Sequence, residues 1–436
     1  MSLYFAQSSS RPGFRQLLGL ASLVLTANLA GFQTISFIPG GFGVDQTAAT
    51  VPFRALEVVL LMYAFYKLLA VGHLRSRISV TTILVVLFWF AYSVRFMVDA
   101  VLLQVPLKDP AMMALYIFGI IIPMFTICYL VGDINLYMKA LPWIMLLLGA
   151  SCAFAVHRLS VASDIDIAQH GRLLGNELLN PIEYGHMGVR AIVLGLFVLL
   201  RIGRVNRSWY LRIAAAGTVC VGIFTVLTAE SRGAMVAAAL LVPFVLYLGV
   251  RRGSRTMSVA ICVAGLFVAS ATLGYLAQQG RNTVRTLASG WAYSSGNNSV
   301  SSRQTLFRDA FLQYSEHPVF GSSIVEKNSR MYPHNALIEA FMATGTLFGS
   351  IFILIVIIAV WRAIKLVSRN TAMSWVPICF FQTLIGAMFS GGLYQNPVMW
   401  GMMAIMLGVD MPPKRFRKAE ILAAQGCLET ESAAIA

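Results

Sequence analysis

Runs of apolar residues, each close to twenty long, recur about twelve times along this 436-residue chain. A hydrocarbon layer about 30 Å thick takes about 20 helical residues to cross. Inside it the backbone must satisfy its own hydrogen bonds. Each run is therefore read as a membrane helix: 15–37, 52–72, 78–104, 111–131, 134–156, 186–203, 209–228, 233–250, 256–278, 345–366, 374–392 and 396–412. Strand readings of the Val- and Ile-rich pieces fail on length. Composition agrees, because 58% of the residues are hydrophobic and 12% are charged, where soluble domains average about 25% charged. That excludes an ordinary soluble enzyme, a disordered chain and a secreted disulfide scaffold. The expected fold class is all-α: a polytopic membrane protein with about 12 transmembrane helices. Arg11 and Arg15 before the first run resemble the start of a signal peptide. The run is too long for one and more spans follow, so an uncleaved first helix is expected.

Charge sets the orientation. There are 33 Lys and Arg against 18 Asp and Glu. Such a balance can mark a nucleic-acid binder, but in a polytopic chain cytoplasmic Lys and Arg act as topology signals. With the N-terminus inside, every even-numbered loop carries basic residues, from Lys67, Arg75 and Arg77 to Arg362, Lys365 and Arg369. Both tails are basic too. Both termini are thus expected in the cytoplasm, with the bilayer and not nucleic acid as the partner. Residues 1–412 form one integral membrane domain and 413–436 a cytoplasmic tail, read as disordered. Two outer loops are long, 157–185 and 279–344, the second between helices 9 and 10. The latter holds Arg281, Arg285, Arg303, Arg308, Lys327 and Arg330, which the positive-inside rule does not favour and which ask for another explanation.

Five of the six cysteines lie in apolar runs and none forms a CxxC pair, so they read as small buried hydrophobes. No metal-ligand spacing occurs among the histidines, and no metal or other cofactor is expected. The arginines are more telling. Arg95 sits 17 residues into a helix running outward, about 26 Å up, with Asp99 one turn on and able to pair with it. Arg54 and Glu57 open the second helix from the outer side. Arg190 lies a turn into the sixth, and Arg232 lies in the turn Glu230-Ser231-Arg232-Gly233. A single such arginine is explained by snorkelling or by a carboxylate partner. Four at one level, beside a basic loop, point to a cationic basin. Guanidinium forks suit phosphate oxygens, so the matching ligand is a lipid-linked pyrophosphate presented at the outer surface.

The stretch Ser302-Arg303, then Glu316-His317-Pro318-Val319-Phe320-Gly321, then Pro333-His334-Asn335-Ala336-Leu337-Ile338-Glu339 resembles the O-antigen ligase and polymerase superfamily. In that family a large outer loop carries an Arg, an hHPhhG-like element, and His-Asn followed nine residues later by Gly, here Gly345. Ser231-Arg232-Gly233-Ala234 resembles its SRGA element. The resemblance covers roughly 180–365. Phe348 departs from it, standing where ligases often have a small residue or Tyr.

The resemblance implies a GT-C-like arrangement in the bacterial inner membrane and metal-independent glycosyl transfer on the periplasmic side. The donor would be a glycan on undecaprenyl pyrophosphate. The acceptor would be a second lipid-linked glycan for a polymerase, or lipid A core for a ligase. His334 takes the catalytic place. Arg190, Arg232 and Arg303 take the pyrophosphate. Arg54, Arg95, Glu230, Glu339 and Asn335 are expected to support them. Glu339 reads equally well as a helix N-terminal charge. Phe348 and the generic Tyr-Pro-His-Asn context tip the reading toward a polymerase of O-antigen or exopolysaccharide repeats, with a ligase as the alternative. A flippase or other transporter also suits twelve spans. Against it, the long loop is late and outside, where transporters often show two related halves. A non-catalytic assembly partner would leave the arginines and His334 unexplained.

Overall fold

The computed structural model describes residues 19–36, 46–70, 79–131, 134–161, 181–202, 208–251, 254–278, 298–369 and 372–409, except positions 21, 33, 104, 106 and 108. The tail 413–436, most of loop 157–185, the first part of loop 279–344 and the start of the first span lie outside them. Every apolar run holds one apolar helix. In chain order these are α1 (Ser22–Gly31), α2 (Gln46–Ala70), α3 (Val80–Leu102), α4 (Pro110–Leu130), α5 (Ile134–Val161), α6 (Pro181–Leu199), α7 (Trp209–Ala229), α8 (Arg232–Arg251) and α9 (Arg255–Gln278). After them come the loop helix α10 (Asn298–Glu316), then α11 (Ala336–Ser368), α12 (Trp375–Phe389) and α13 (Pro397–Gly408). No strand occurs among the described residues, where nine helices are long and apolar enough to cross a membrane and α1, α12 and α13 are shorter. The chain is an all-α polytopic membrane protein.

Helix α6 is the hub. It packs on α5, α7, α8 and α12 and is the most buried of the nine long helices. Glycines permit this. A Cβ on Gly188 would lie 2.9 Å from the Gly222 carbonyl oxygen, and one on Gly195 2.9 Å from that of Ala215. Within a bilayer, helices gain little from hydrophobic exclusion and associate by such close backbone approach. A second group, α3, α4, α11 and α13, is held by aromatic packing. Phe88 stacks on Phe352 at 5.0 Å and Trp89 lies 4.6 Å from Trp400, distances at which ring quadrupoles attract. The peripheral face of α9 exposes Val263, Leu266 and Phe267, a patch that fits lipid and not water.

Helix α11 begins earlier than its apolar run, which starts at 345. Asn335 caps it, its Oδ1 accepting from the Leu337 and Ile338 N–H groups at 3.0 and 3.1 Å. The helix then breaks at Gly345, with φ 68° and ψ −172°, a region essentially confined to glycine. The turn after α10 fills the break. Thr346 N–H donates to the Pro318 carbonyl at 2.7 Å, and Ser322 N–H to that of Met342 at 2.9 Å. Gly321 (φ 71°) faces Gly345, and a Cβ on either would run into the other segment's backbone. The two glycines of the sequence motif are thus the two sides of one contact. Gly345→Ala is expected to cost about 1–3 kcal/mol in backbone strain alone, with the clash in addition. A clear fall in melting temperature in detergent should result. Gly274→Ala, where nothing lies within 4 Å, is the control, and equal melting of the two would count against this account.

Among the described residues, π-helical segments form the ends of α1 (Ala27–Gly31) and α3 (Val98–Leu102) and interrupt α4 (Leu115–Ile121). All lie toward the end of the bundle where α11 begins. Such wide turns gather at functional sites. The first carries the Leu29 carbonyl that accepts from Arg190 Nη1 at 3.0 Å.

Candidate active site

His334 lies between α10 and α11, directly before the cap Asn335. Its backbone is left-handed (φ 55°), uncommon for a residue with a side chain and often tied to function. The ring is partly buried. Tyr332 meets it edge-on at 4.6 Å, and its Nδ1 is buried with no hydrogen-bond partner among the described residues. Burial pulls the imidazole's pKa down to about 4, and the nearby Arg303 guanidinium adds to this. Both causes disfavour the charged form, so the ring is neutral at neutral pH. Arg303 reaches it from the first turns of α10.

Arg232 is placed by a two-residue turn. Helix α7 stops at Ala229, Glu230 turns left-handed (φ 47°), and α8 starts at Arg232. Glu230 and Ser231 are buried, while Arg232 is half-buried. Its side chain makes no hydrogen bond or ion pair among the described residues. It also sits where the helix dipole is positive. Cation and dipole repel one another there, and both favour an anion. The Arg232 and His334 turns rest on the same end of α12. A Cβ on Gly233 would lie 3.0 Å from Phe389 Cβ, and Asn335 Nδ2 donates to the neighbouring Met388 carbonyl at 3.2 Å.

The other arginines are engaged. Arg95 pairs with Asp99 as their spacing predicts, its Nε at 2.8 Å from Oδ1. The free oxygen of buried Asp99 accepts from Ser323 Oγ at 3.0 Å and Ile324 N–H at 2.9 Å. Asp99 thereby latches α3 to the loop leading to His334. Arg54 pairs with Glu57 at 2.6 Å and lies 3.9 Å over the Phe32 ring. Arg190 is buried inside the bundle, bonded to Leu29 of α1, with Glu183 in electrostatic reach above it. The structure thus brings Arg303 to His334 and Arg232 to the same helix end. It buries Arg190 inside the bundle on the Leu29 carbonyl, and sets Arg54 and Arg95 in ion pairs on their own helices.

Glu339 does not touch His334. It is buried and accepts from Tyr92 Oη at 2.6 Å and from Leu393 N–H at 2.9 Å, tying α11 to α3 and to the loop 391–396. Sequence reasoning missed that loop. It also missed His186, buried one turn before Arg190, with Nδ1 at 2.9 Å from Gln382 Nε2. The Gly391-Gly392 pair at the end of the run 374–392 is the signal that could have pointed to the loop. No cluster of His, Cys, Asp and Glu that could hold a metal occurs among the described residues.

Residues 217–354 match the family model described as O-antigen ligase (Wzy_C). No curated protein sequence matches the chain. The matched segment runs from α7 past the break in α11 and so contains Arg232, Arg303, His334 and Gly345. Over that segment the chain is similar to the O-antigen ligase family.

Proposed function

We propose that the chain polymerises undecaprenyl-pyrophosphate-linked repeat units at the periplasmic face of the inner membrane, as an inverting glycosyltransferase. The coarser statement, a membrane enzyme of the O-antigen ligase and polymerase type, is supported by the family match over residues 217–354. One observation carries the finer reading. A neutral imidazole next to a guanidinium shares a helix end with a second arginine that has no hydrogen-bond or ion-pair partner among the described residues. In the proposed step the acceptor hydroxyl oxygen attacks the anomeric carbon. Its proton passes to His334. The bond from that carbon to the phosphate oxygen breaks, and the electron pair leaves with the lipid pyrophosphate. Arg232 and Arg303 stabilise the growing negative charge, which makes their contribution largest in the transition state. Arg190, already bonded to Leu29, is proposed to add positive potential at longer range.

Transfer to lipid A core is the second reading, favoured by the description of the matched family. Purified protein given a lipid-linked repeat unit separates the readings. A ladder without core is expected, a single product requiring core would mean a ligase, and no turnover of an authentic donor would favour a transporter.

The pH profile follows from the imidazole. A base held at about 4 is neutral until pH falls through that value, so the acid limb of kcat/KM is expected near 4. Arg303→Gln removes the smaller of the two causes and should move this limb up, by less than the distance to the ordinary value. Bound pyrophosphate, an anion beside the ring, favours imidazolium, so the limb in kcat should lie higher than that in kcat/KM. An Arg303→Gln limb that stays in place would count against a direct electrostatic link.

A further inference from the structure

We propose that the loop Gly391–Asn396, together with Tyr332, forms a subsite for a sugar ring beside His334. The inference rests on the glycosyl-transfer reading and names residues of the same site. The loop joins α12 to α13 and is fixed from all sides. Leu393 N–H donates to Glu339 Oε2 at 2.9 Å, the Leu393 carbonyl accepts from Trp400 Nε1 at 2.9 Å, and Asn396 Nδ2 donates to the Gly392 carbonyl at 2.7 Å. Gly391 has φ 78°. A Cβ on Gly392 would lie 3.1 Å from the Tyr394 ring and 3.2 Å from both Tyr332 Cγ and Glu339 Oε2. A larger residue there would push the loop off Tyr332. So much anchoring for so short a connection fits a loop that presents groups in a set geometry.

Those groups suit a carbohydrate. Tyr332 stands edge-on to His334 at 4.6 Å and nearly perpendicular to Tyr394 at 6.1 Å. Gln395 Nε2 donates to Tyr394 Oη at 3.1 Å, and its side chain also reaches Tyr332. Tyr332, His334 and Gln395 are all partly exposed. A sugar offers an apolar C–H face and a rim of hydroxyls. Aromatic rings with polar tips and an amide, which donates and accepts, are its complement. An acyl chain would leave the amide unused. A phosphate would call for cations, and 391–396 carries no charge. Burial holds Tyr332 up to about 12 and raises Tyr394 as well, so both hydroxyls stay protonated as donors.

The ring could belong to the donor's first sugar or to the acceptor, and two assays on purified full-length protein in detergent separate these. The first measures binding of the lipid-free repeat-unit oligosaccharide prepared from the host's own surface polysaccharide. Gln395→Ala and Tyr332→Ala should each weaken it about fivefold or more, the loss of one hydrogen bond or ring contact. Tyr332→Phe, which keeps the ring, should recover most of the loss of Tyr332→Ala. The second assay measures KM for donor and acceptor separately, and the substrate whose KM rises in Gln395→Ala identifies the occupant. Wild-type protein that does not bind the oligosaccharide, or folded Gln395→Ala and Tyr332→Ala that bind it as wild type does, would overturn the subsite. If the variants lose oligosaccharide binding but the wild type turns over no donor, the subsite stands and the transfer reading falls.

Discussion

His334→Ala is expected to lower turnover about 10²–10⁴-fold, the usual contribution of a positioned general base, with melting close to that of the unaltered protein. The ring makes no hydrogen bond through Nδ1 among the described residues, so its loss strands no buried partner there. The backbone complicates alanine, because position 334 is left-handed. Asparagine tolerates that conformation better than most residues. His334→Asn should therefore be folded and as inactive as His334→Ala, which separates the imidazole's chemistry from the turn's geometry. Turnover near the unaltered level in either variant would end the assignment of His334 as base. The low basicity has a further consequence. Among the described residues no carboxylate supports the imidazolium through Nδ1, so His334 is expected to take the proton late, once the leaving group has begun to depart. A good leaving group makes that workable, and places most of the catalytic demand on the arginines.

The helices were legible because lipid imposes one rule on every span, and among the described residues each apolar run holds a helix, nine of them long enough to cross. The Arg95–Asp99 pair was legible because the helix period sets neighbours four apart. The rest depends on contacts between distant parts of the chain. Asp99 meets Ser323, Tyr92 meets Glu339, and Arg190 meets Leu29. No local pattern reports such pairs. Arg190 shows the consequence. A position one turn into a span suggested an arginine reaching outward, yet the π turn of α1 offers a carbonyl within the bundle and the side chain turns to it. Gly345 shows the converse. Its place in the motif was plain, but its reason, a helix break filled by the Pro318–Gly321 turn, needed both segments together. The loop 391–396 is short and uncharged, and nothing in its sequence beyond the Gly391-Gly392 pair marks it. Its interest lies in what Glu339 and Tyr332 do to it.

Arg232→Ala is expected to lower kcat about 10²–10³-fold, as loss of one preorganised donor to a developing oxyanion does. The effect should be larger on turnover than on donor KM, because the charge it meets grows as the bond to phosphate breaks. Arg232→Lys should recover part of the loss, since a point charge remains but the fork onto two oxygens does not. The contrast with Arg190 is the discriminating one. Arg190 is buried and bonded to Leu29, so Arg190→Ala removes a buried hydrogen bond and should depress melting first. Arg232 has no hydrogen-bond or ion-pair partner among the described residues to lose, so its removal should leave melting nearly unchanged. Product inhibition by undecaprenyl pyrophosphate bears on the same point without requiring turnover of each variant. A folded Arg232→Ala protein should bind that lipid more weakly, and binding equal to the unaltered protein's would remove Arg232 from the pyrophosphate site. The anion would then have to be held by Arg303 and the start of α8 alone.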